Sequence, residues 1–276
     1  MRSGFAAVER DVASLKQQIA EIRQADATAR EVAKTAVVMA SDVGITLDDW
    51  QARALSTDAH DIMLLASRQA GKSTVAGVKA IHQAVYVPGS TTLIVSPTER
   101  QSKRLLRSVR KHYYKVSHIA PAVNVGVLSI ELRNGSEIHA LPGSEETIRG
   151  FSAVDLLILD EGARIPDELY NAVRPMLAVS NGSLMALSTA FGKRGWFYEE
   201  WATGEGWHRE KVTAHDCPRI DRAWLERERA KIGEWWFSQE YLCEFLEGED
   251  SLFSFDDINA ALDNDLEPLF AGRLFA

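Results

Sequence analysis

Two cysteines in 276 residues, Cys217 and Cys243, are too few for a disulfide framework, and no group of Cys or His has the spacing of a metal site. Both read as ordinary thiols. No run of about 18 apolar residues is present to cross a bilayer. The N-terminus, Met1-Arg2-Ser3-Gly4 followed by alternating Ala, Glu and Arg, lacks the apolar stretch and cleavage site of a signal peptide. There is no internal repeat and no low-complexity segment. These absences exclude a disulfide scaffold and a membrane partner, and they predict a soluble chain that stays in a cytoplasm.

Positive charge is also scarce, with a net charge of −8, but the deficit is local. Between Ile232 and Gly272 there are 11 acidic residues and no Lys or Arg; outside that segment 31 basic residues stand against 28 acidic ones. The body of the chain is therefore mildly basic and its C-terminal end acidic. A hydrophobic content of 46% suffices for one large α/β domain or two small ones.

Near the N-terminus Val8, Val12, Leu15, Ile19 and Ile22 alternate four and three apart, the a/d spacing of a short coiled-coil seam. Asp26 breaks the register and the helical pattern resumes through Ala29, Val32 and Ala36. This helical extension, residues 1–44, either packs on the body of the protein or docks a partner. Gly44 and Thr46-Leu47-Asp48-Asp49 give a turn and a helix start. Apolar residues at 62–65 predict a strand, and a helix follows over 73–87 until Pro88-Gly89. The β-branched run at 91–96 predicts a second strand, closed by Pro97, with a helix over about 99–115. Segments 127–132 and 137–141 flank Asn134-Gly135, a hairpin signal. Further strands are expected over 154–159 and 182–188. Strands alternating with helices predict an α/β fold: a mostly parallel sheet with helices on both faces and one antiparallel insertion.

The first strand empties into Ala66-Ser67-Arg68-Gln69-Ala70-Gly71-Lys72-Ser73-Thr74, a P-loop with alanine in place of its first glycine and an arginine inside it. Backbone N–H groups of such a loop wrap phosphates at a helix N-terminus, Lys72 reaches the β and γ phosphates, and the Ser73 hydroxyl completes a Mg²⁺ shell. The loop thus predicts NTP binding. An all-apolar strand ends in Asp160-Glu161, where Asp160 can hold the metal and Glu161 polarise an attacking water. Trp50-Gln51 lies where a helix can return the glutamine amide to the N6 and N7 of adenine, or it is a core tryptophan beside a solvated glutamine. Arg68 or Arg149 can stabilise the transition state as an arginine finger, or serve in surface ion pairs. Ser188-Thr189, at another strand end, can sense a γ-phosphate, or be the small polar residues common at the carboxyl ends of central strands in any open α/β sheet. A helix carrying Arg100, Lys103, Arg104, Arg107, Arg110 and Lys111 on one face can track a DNA backbone or be a solvated face.

Together these segments resemble the ATPase domain of the large terminase subunit of tailed bacteriophages. Leu47-Asp48-Asp49-Trp50-Gln51 resembles the family's adenine motif, the P-loop its deviant Walker A, Ile148-Arg149-Gly150 and Leu159-Asp160-Glu161-Gly162-Ala163 the segment ending in its Walker B, and Leu187-Ser188-Thr189-Ala190 its coupling motif. The segment Phe237-Ser238-Gln239-Glu240-Tyr241-Leu242-Cys243-Glu244-Phe245 resembles the one that closes the domain.

The resemblance implies a RecA-like P-loop NTPase fold over residues 45–245 and hydrolysis of Mg-ATP with ATP and Mg²⁺ as cofactors. It further implies a homo-oligomeric ring on the portal protein of a procapsid, double-stranded viral DNA as substrate, and a small terminase subunit as partner. Its place would be the host cytoplasm and, transiently, the portal, not the mature virion. Residues 246–276 read as an acidic linker too short for the nuclease domain that usually follows, so ATP hydrolysis without DNA cleavage is expected. A helicase-type remodeller or a nucleotide-gated docking module are the competing readings.

Overall fold

A computed structural model of the chain describes residues 35–143, 148 and 150–247. The coiled-coil-spaced segment 8–22, Arg149 and the acidic segment beyond residue 247 lie outside the described residues.

Eight strands form a single sheet in the order β3-β4-β5-β2-β6-β7-β1-β8. They are β1 (Asp61–Ala66), β2 (Thr91–Ser96), β3 (Ala122–Val125), β4 (Ser129–Leu132), β5 (Glu137–Pro142), β6 (Leu156–Asp160), β7 (Ser183–Ser188) and β8 (Trp207–Val212). Every pairing from β5 to β8 is parallel; only β4, paired with β3 and β5, runs antiparallel. This is the expected mostly parallel sheet with one antiparallel insertion.

The central strands are apolar on both faces because they feed two cores, as the two-residue period of a strand requires. Ile62, Leu64, Ile94, Leu156, Ile158, Met185 and Leu187 point into one cluster, whereas Met63, Leu65, Leu93, Val95, Leu157, Leu159, Leu184 and Ala186 point into the other. The first face is covered by α1 (Ala36–Asp42), α2 (Asp49–Ser56), α3 (Lys72–Tyr86) and α4 (Glu99–Val116). The second takes α5 (Asp167–Val173) and α6 (Gly195–Ala202), where the Tyr170 and Trp196 rings stack at 4.0 Å. A smaller cluster joins α7 (Arg222–Ile232) and α8 (Glu234–Tyr241) through Leu225, Phe237 and Tyr241.

Local chemistry fixes the ends of these elements. Helix α3 stops at a turn in which the Ser90 N–H meets the Val87 carbonyl at 3.2 Å, with Pro88 and the positive-φ Gly89 at its centre. The Asn134 side chain of the β4–β5 hairpin donates to the Ala84 carbonyl at 2.9 Å, so the hairpin turn also caps α3. Thr98 caps α4 by accepting from the Gln101 N–H at 3.3 Å.

Met39, Ala40 and Val43 are buried in the first core, so the described end of the N-terminal extension packs on the body of the domain. The basic stripe of α4 is divided: Lys103 pairs with Glu99, Arg110 donates to the Gly126 carbonyl at 3.3 Å, and Arg104 turns toward a cleft. The apolar face of α4 does lie inward, through Leu105, Leu106, Val109 and Tyr113.

Candidate nucleotide site

Strands β1, β7 and β6 are consecutive neighbours and parallel, so their C-terminal ends arrive at one edge of the sheet together. The P-loop leaves β1, Ser188-Thr189 ends β7, and Asp160-Glu161 ends β6. With β7 between the other two, Ser188-Thr189 stands between the P-loop and the acidic pair. A cleft of about 750 Å³ opens there.

The departure at Ala66 has a simple cause. Ala66 is still part of β1, paired with Val212, in extended backbone that needs no glycine. The turn comes later: Gln69 has φ +63° and Gly71 φ +102°. These left-handed residues turn the chain into the N-terminus of α3, whose first N–H groups can meet an anion, while the Ser67, Arg68 and Ala70 N–H groups are held by the Val212, Glu240 and Ser67 carbonyls. A Cβ at Gly71 would come within 2.5 Å of the Gln51 amide nitrogen, which explains the glycine.

Lys72 is buried, and its ammonium donates to the Ala66 and Ser67 carbonyls at 2.7 and 3.1 Å. Burial lowers its pKa, with the carboxylates of Glu161 and Asp160 acting in the opposite sense. The Asp160 carboxyl is pushed up to about 6 by burial and by adjacent Glu161, against the pull of Lys72. Glu161 sits in left-handed backbone at φ +54°, which turns its carboxylate away from the strand direction and into the cleft. Gly162 follows because a Cβ there would lie 2.9 Å from the Phe197 ring. The Ser188 hydroxyl accepts the Ala163 N–H at 3.2 Å and so ties the end of β7 to the turn after the acidic pair.

Most of the residues picked from the sequence meet at this cleft: Gln51, Ser67, Arg68, Gln69, Gly71, Lys72, Ser73, Thr74, Asp160, Glu161 and Thr189 line it. Ala70 and Ser188 are fully buried beside it. Two of the assigned roles meet a different geometry. The Gln51 amide, expected at the purine edge, has its oxygen accepting the Asp48 N–H at 2.9 Å and its nitrogen donating to the Gly71 carbonyl at 3.3 Å, so it fastens the P-loop to α2. The Arg68 guanidinium, expected at the γ-phosphate, donates to both oxygens of Glu240 at 2.7 and 3.3 Å.

Several residues at or beside the cleft had no role assigned from the sequence. Glu240, buried on α8, also accepts from Arg164 at 3.2 Å, while the Arg164 guanidinium covers the Phe191 ring at 4.3 Å. Arg219 donates to the Ala70 carbonyl at 2.8 Å and to Asp48. Ser108 and His112 line the far end. Each is a single polar residue far in sequence from the P-loop, and only the fold brings it there.

Fold and site together define a P-loop NTPase. Residues 63–260 match the family described as terminase large subunit, T4likevirus-type, N-terminal. The chain is 30% identical over 225 residues to the terminase large subunit of Thermus virus P23-45, an alignment covering 68% of this chain and 46% of that protein. The chain therefore belongs to the terminase large-subunit family. It spans about half the length of the curated relatives it matches. Among solved structures, the ATPase domain of the Thermus phage P74-26 large terminase superposes with a TM-score of 0.67 at 23% identity, covering 75% of this chain and 97% of that one. The large terminase of a thermophilic bacteriophage, solved in complex with ATP-γ-S, superposes with a TM-score of 0.62 at 13% identity, covering 73% of this chain and 53% of that one. At these identities the superpositions speak for the fold.

Proposed function

We propose that this chain is the ATPase of a viral DNA-packaging motor, which binds Mg-ATP in the cleft and uses its hydrolysis to move double-stranded DNA into a procapsid. The observation that carries the reading is the meeting of three strand ends, which brings buried Lys72, Asp160-Glu161 and Thr189 to one cleft with Ser188 buried beside it.

The residues present suit a magnesium ion. Ser73 and Asp160 both line the cleft and offer hard oxygen donors, and Asp160 is a buried acid whose carboxyl burial and Glu161 push up to about 6. Bound there, Mg²⁺ would neutralise charge on the phosphates. Lys72 holds the β and γ phosphates, and the N-terminus of α3 orients them. Glu161 orients the attacking water and takes its proton. Arg68 or Arg149 supplies the cation for the transition state; Arg68 must first leave Glu240 to do so. Ser188, through its bond to the turn after Glu161, passes a change at the acidic pair into β7. Family membership supports a homo-oligomeric ring working on a portal protein, with a small terminase subunit as the DNA-recognition partner, in the host cytoplasm.

Steady-state phosphate release tests the reading. Glu161→Ala is expected to lose about 10²- to 10⁴-fold in turnover, as when a positioned base is removed, while nucleotide binding survives. Hydrolysis by Glu161→Ala at the wild-type rate would overturn the assignment.

A further inference from the structure

We propose that Ser96, the last residue of β2, is a positioning residue for the magnesium ion: its buried hydroxyl anchors the Asp160 carboxylate in the orientation that ligates the cation. This rests on the reading of the cleft as a Mg-ATP site.

Among the described residues, Ser67, Ser96, Ser102, Ser136 and Ser188 are the serines with no exposed surface. The hydroxyls of Ser67, Ser102 and Ser136 donate to the Arg68, Leu141 and Val87 carbonyls at 3.3, 2.8 and 2.9 Å, and that of Ser188 accepts the Ala163 N–H at 3.2 Å. The Ser96 hydroxyl is the exception, buried without a hydrogen-bond partner. Such a group costs free energy, and alanine would fill the same place without that cost. The surrounding fold does not call for the hydroxyl either. Thr98 caps α4, and the Gly143 N–H is taken at 2.8 Å by the Ser96 backbone carbonyl, a bond that any residue at this position could make.

The register shows where the idle hydroxyl stands. Strands β2 and β6 are parallel neighbours with Ile94 opposite Ile158 and Val95 opposite Leu159, so the next step sets Ser96 level with Asp160. Ile94 and Ile158 both point into the first core, and by the two-residue period of a strand the Ser96 and Asp160 side chains leave the sheet on that same face. Adjacent strands lie about 4.8 Å apart, a gap that a serine hydroxyl and an aspartate carboxylate close by turning about their side-chain bonds. A carboxylate that ligates a cation through one oxygen keeps lone pairs on the other, and donors to those lone pairs fix its orientation. The Glu161 N–H is one such donor, from the turn after β6. Ser96 supplies a second from the neighbouring strand, so the carboxylate is held from two sides. The Lys72 ammonium is turned instead to the Ala66 and Ser67 carbonyls.

The test is equilibrium binding of the non-hydrolysable ATP analogue AMP-PNP to the whole chain, with Mg²⁺ and with EDTA, alongside melting of the nucleotide-free chain. In wild type Mg²⁺ should tighten binding. Ser96→Ala should lose about tenfold of that gain, as when a group that orients a metal ligand is removed. It should bind the analogue in EDTA as wild type does and melt no earlier, because the deleted hydroxyl has no partner to lose. A serine kept for packing alone would leave the Mg²⁺ gain untouched. Ser96→Cys keeps the volume and offers only a weak donor; it should follow the alanine variant and decides the matter if that variant does not fold. Retention of the wild-type Mg²⁺ gain by either folded variant overturns the proposal and leaves the metal reading standing, provided Asp160→Asn abolishes the gain. A wild-type chain that does not bind the analogue, or binds it equally with and without Mg²⁺, overturns the Mg-ATP reading and this inference with it, as does an Asp160→Asn variant that keeps the gain.

Discussion

Glu240 is the residue whose removal tests most directly how the P-loop is held. Glu240 is 5% exposed, and its carboxylate accepts from Arg68 at 2.7 and 3.3 Å and from Arg164 at 3.2 Å. Breaking a fully buried ion pair costs about 3–5 kcal/mol, and breaking an exposed one under about 1 kcal/mol. This pair lies between those limits, because the Arg68 side chain is 59% exposed and regains water when released. Arg164 keeps its place over Phe191 in either case. The expected cost of Glu240→Gln is therefore about 2 kcal/mol, or roughly 4–8 °C in Tm for a domain of this size. The effect is confined to the side chains, since the Arg68 N–H also donates to the Glu240 backbone carbonyl at 3.1 Å and that bond survives substitution. Thermal and urea unfolding of wild type, Glu240→Gln, Arg68→Ala and the double variant form a closed cycle. A coupling of about 1–2 kcal/mol is expected between the two positions. Additive effects, or a Tm loss under about 2 °C, would show that the network contributes nothing and refute the reasoning.

Other perturbations are equally specific. Gly71→Ala places a Cβ 2.5 Å from the Gln51 amide nitrogen in backbone at φ +102°, so nucleotide binding should be lost and stability should fall by about 1–3 kcal/mol; fluorescence titration and melting curves check both. The Cys243 thiol is pushed up to about 12 by burial and Cys217 is raised for the same reason, so neither should react with a thiol reagent at pH 8 until the chain is unfolded; rapid labelling of the native protein would contradict their burial. Asp216 accepts from the Thr213 hydroxyl and N–H at 2.7 and 2.8 Å, and these bonds hold its carboxyl below the usual range. A depressed acid stabilises the folded state above its unfolded pKa and loses that contribution as pH falls through the folded value. Asp216→Asn should therefore lower Tm at pH 7 and make no difference once the pH is below the native titration; an equal deficit at both pH values would exclude the charge as the cause.

How much of this was legible in the sequence follows from where each signal comes from. Strands β1, β2, β6 and β7 are buried on both faces, so they write themselves as unbroken apolar runs, and helices α3 and α4 carry their stops and caps in Pro88-Gly89 and Thr98. The edge strand β8 gives no such signal. Of its residues only Trp207 and Val212 are apolar, and it is held by its parallel pairing to β1 and by Glu210, which accepts from Arg53 at 2.8 Å. Strand β3 is short and mostly exposed and was hidden for the same reason. The site divides along a similar line. The phosphate end is built from contiguous residues on strand ends, where chemistry forces residue type and spacing together, so Lys72, Ser73, Asp160 and Glu161 could be found by pattern. Arg219, Arg164 and Glu240 act through single contacts between segments up to 172 residues apart, and no local period encodes such a contact. That distinction also explains Gln51 and Arg68. Pattern brought both to the cleft, but the partners that hold them, Asp48 with Gly71 and Glu240, are fixed by tertiary packing. A role assigned from position alone therefore named the right neighbourhood while leaving open which group each side chain holds.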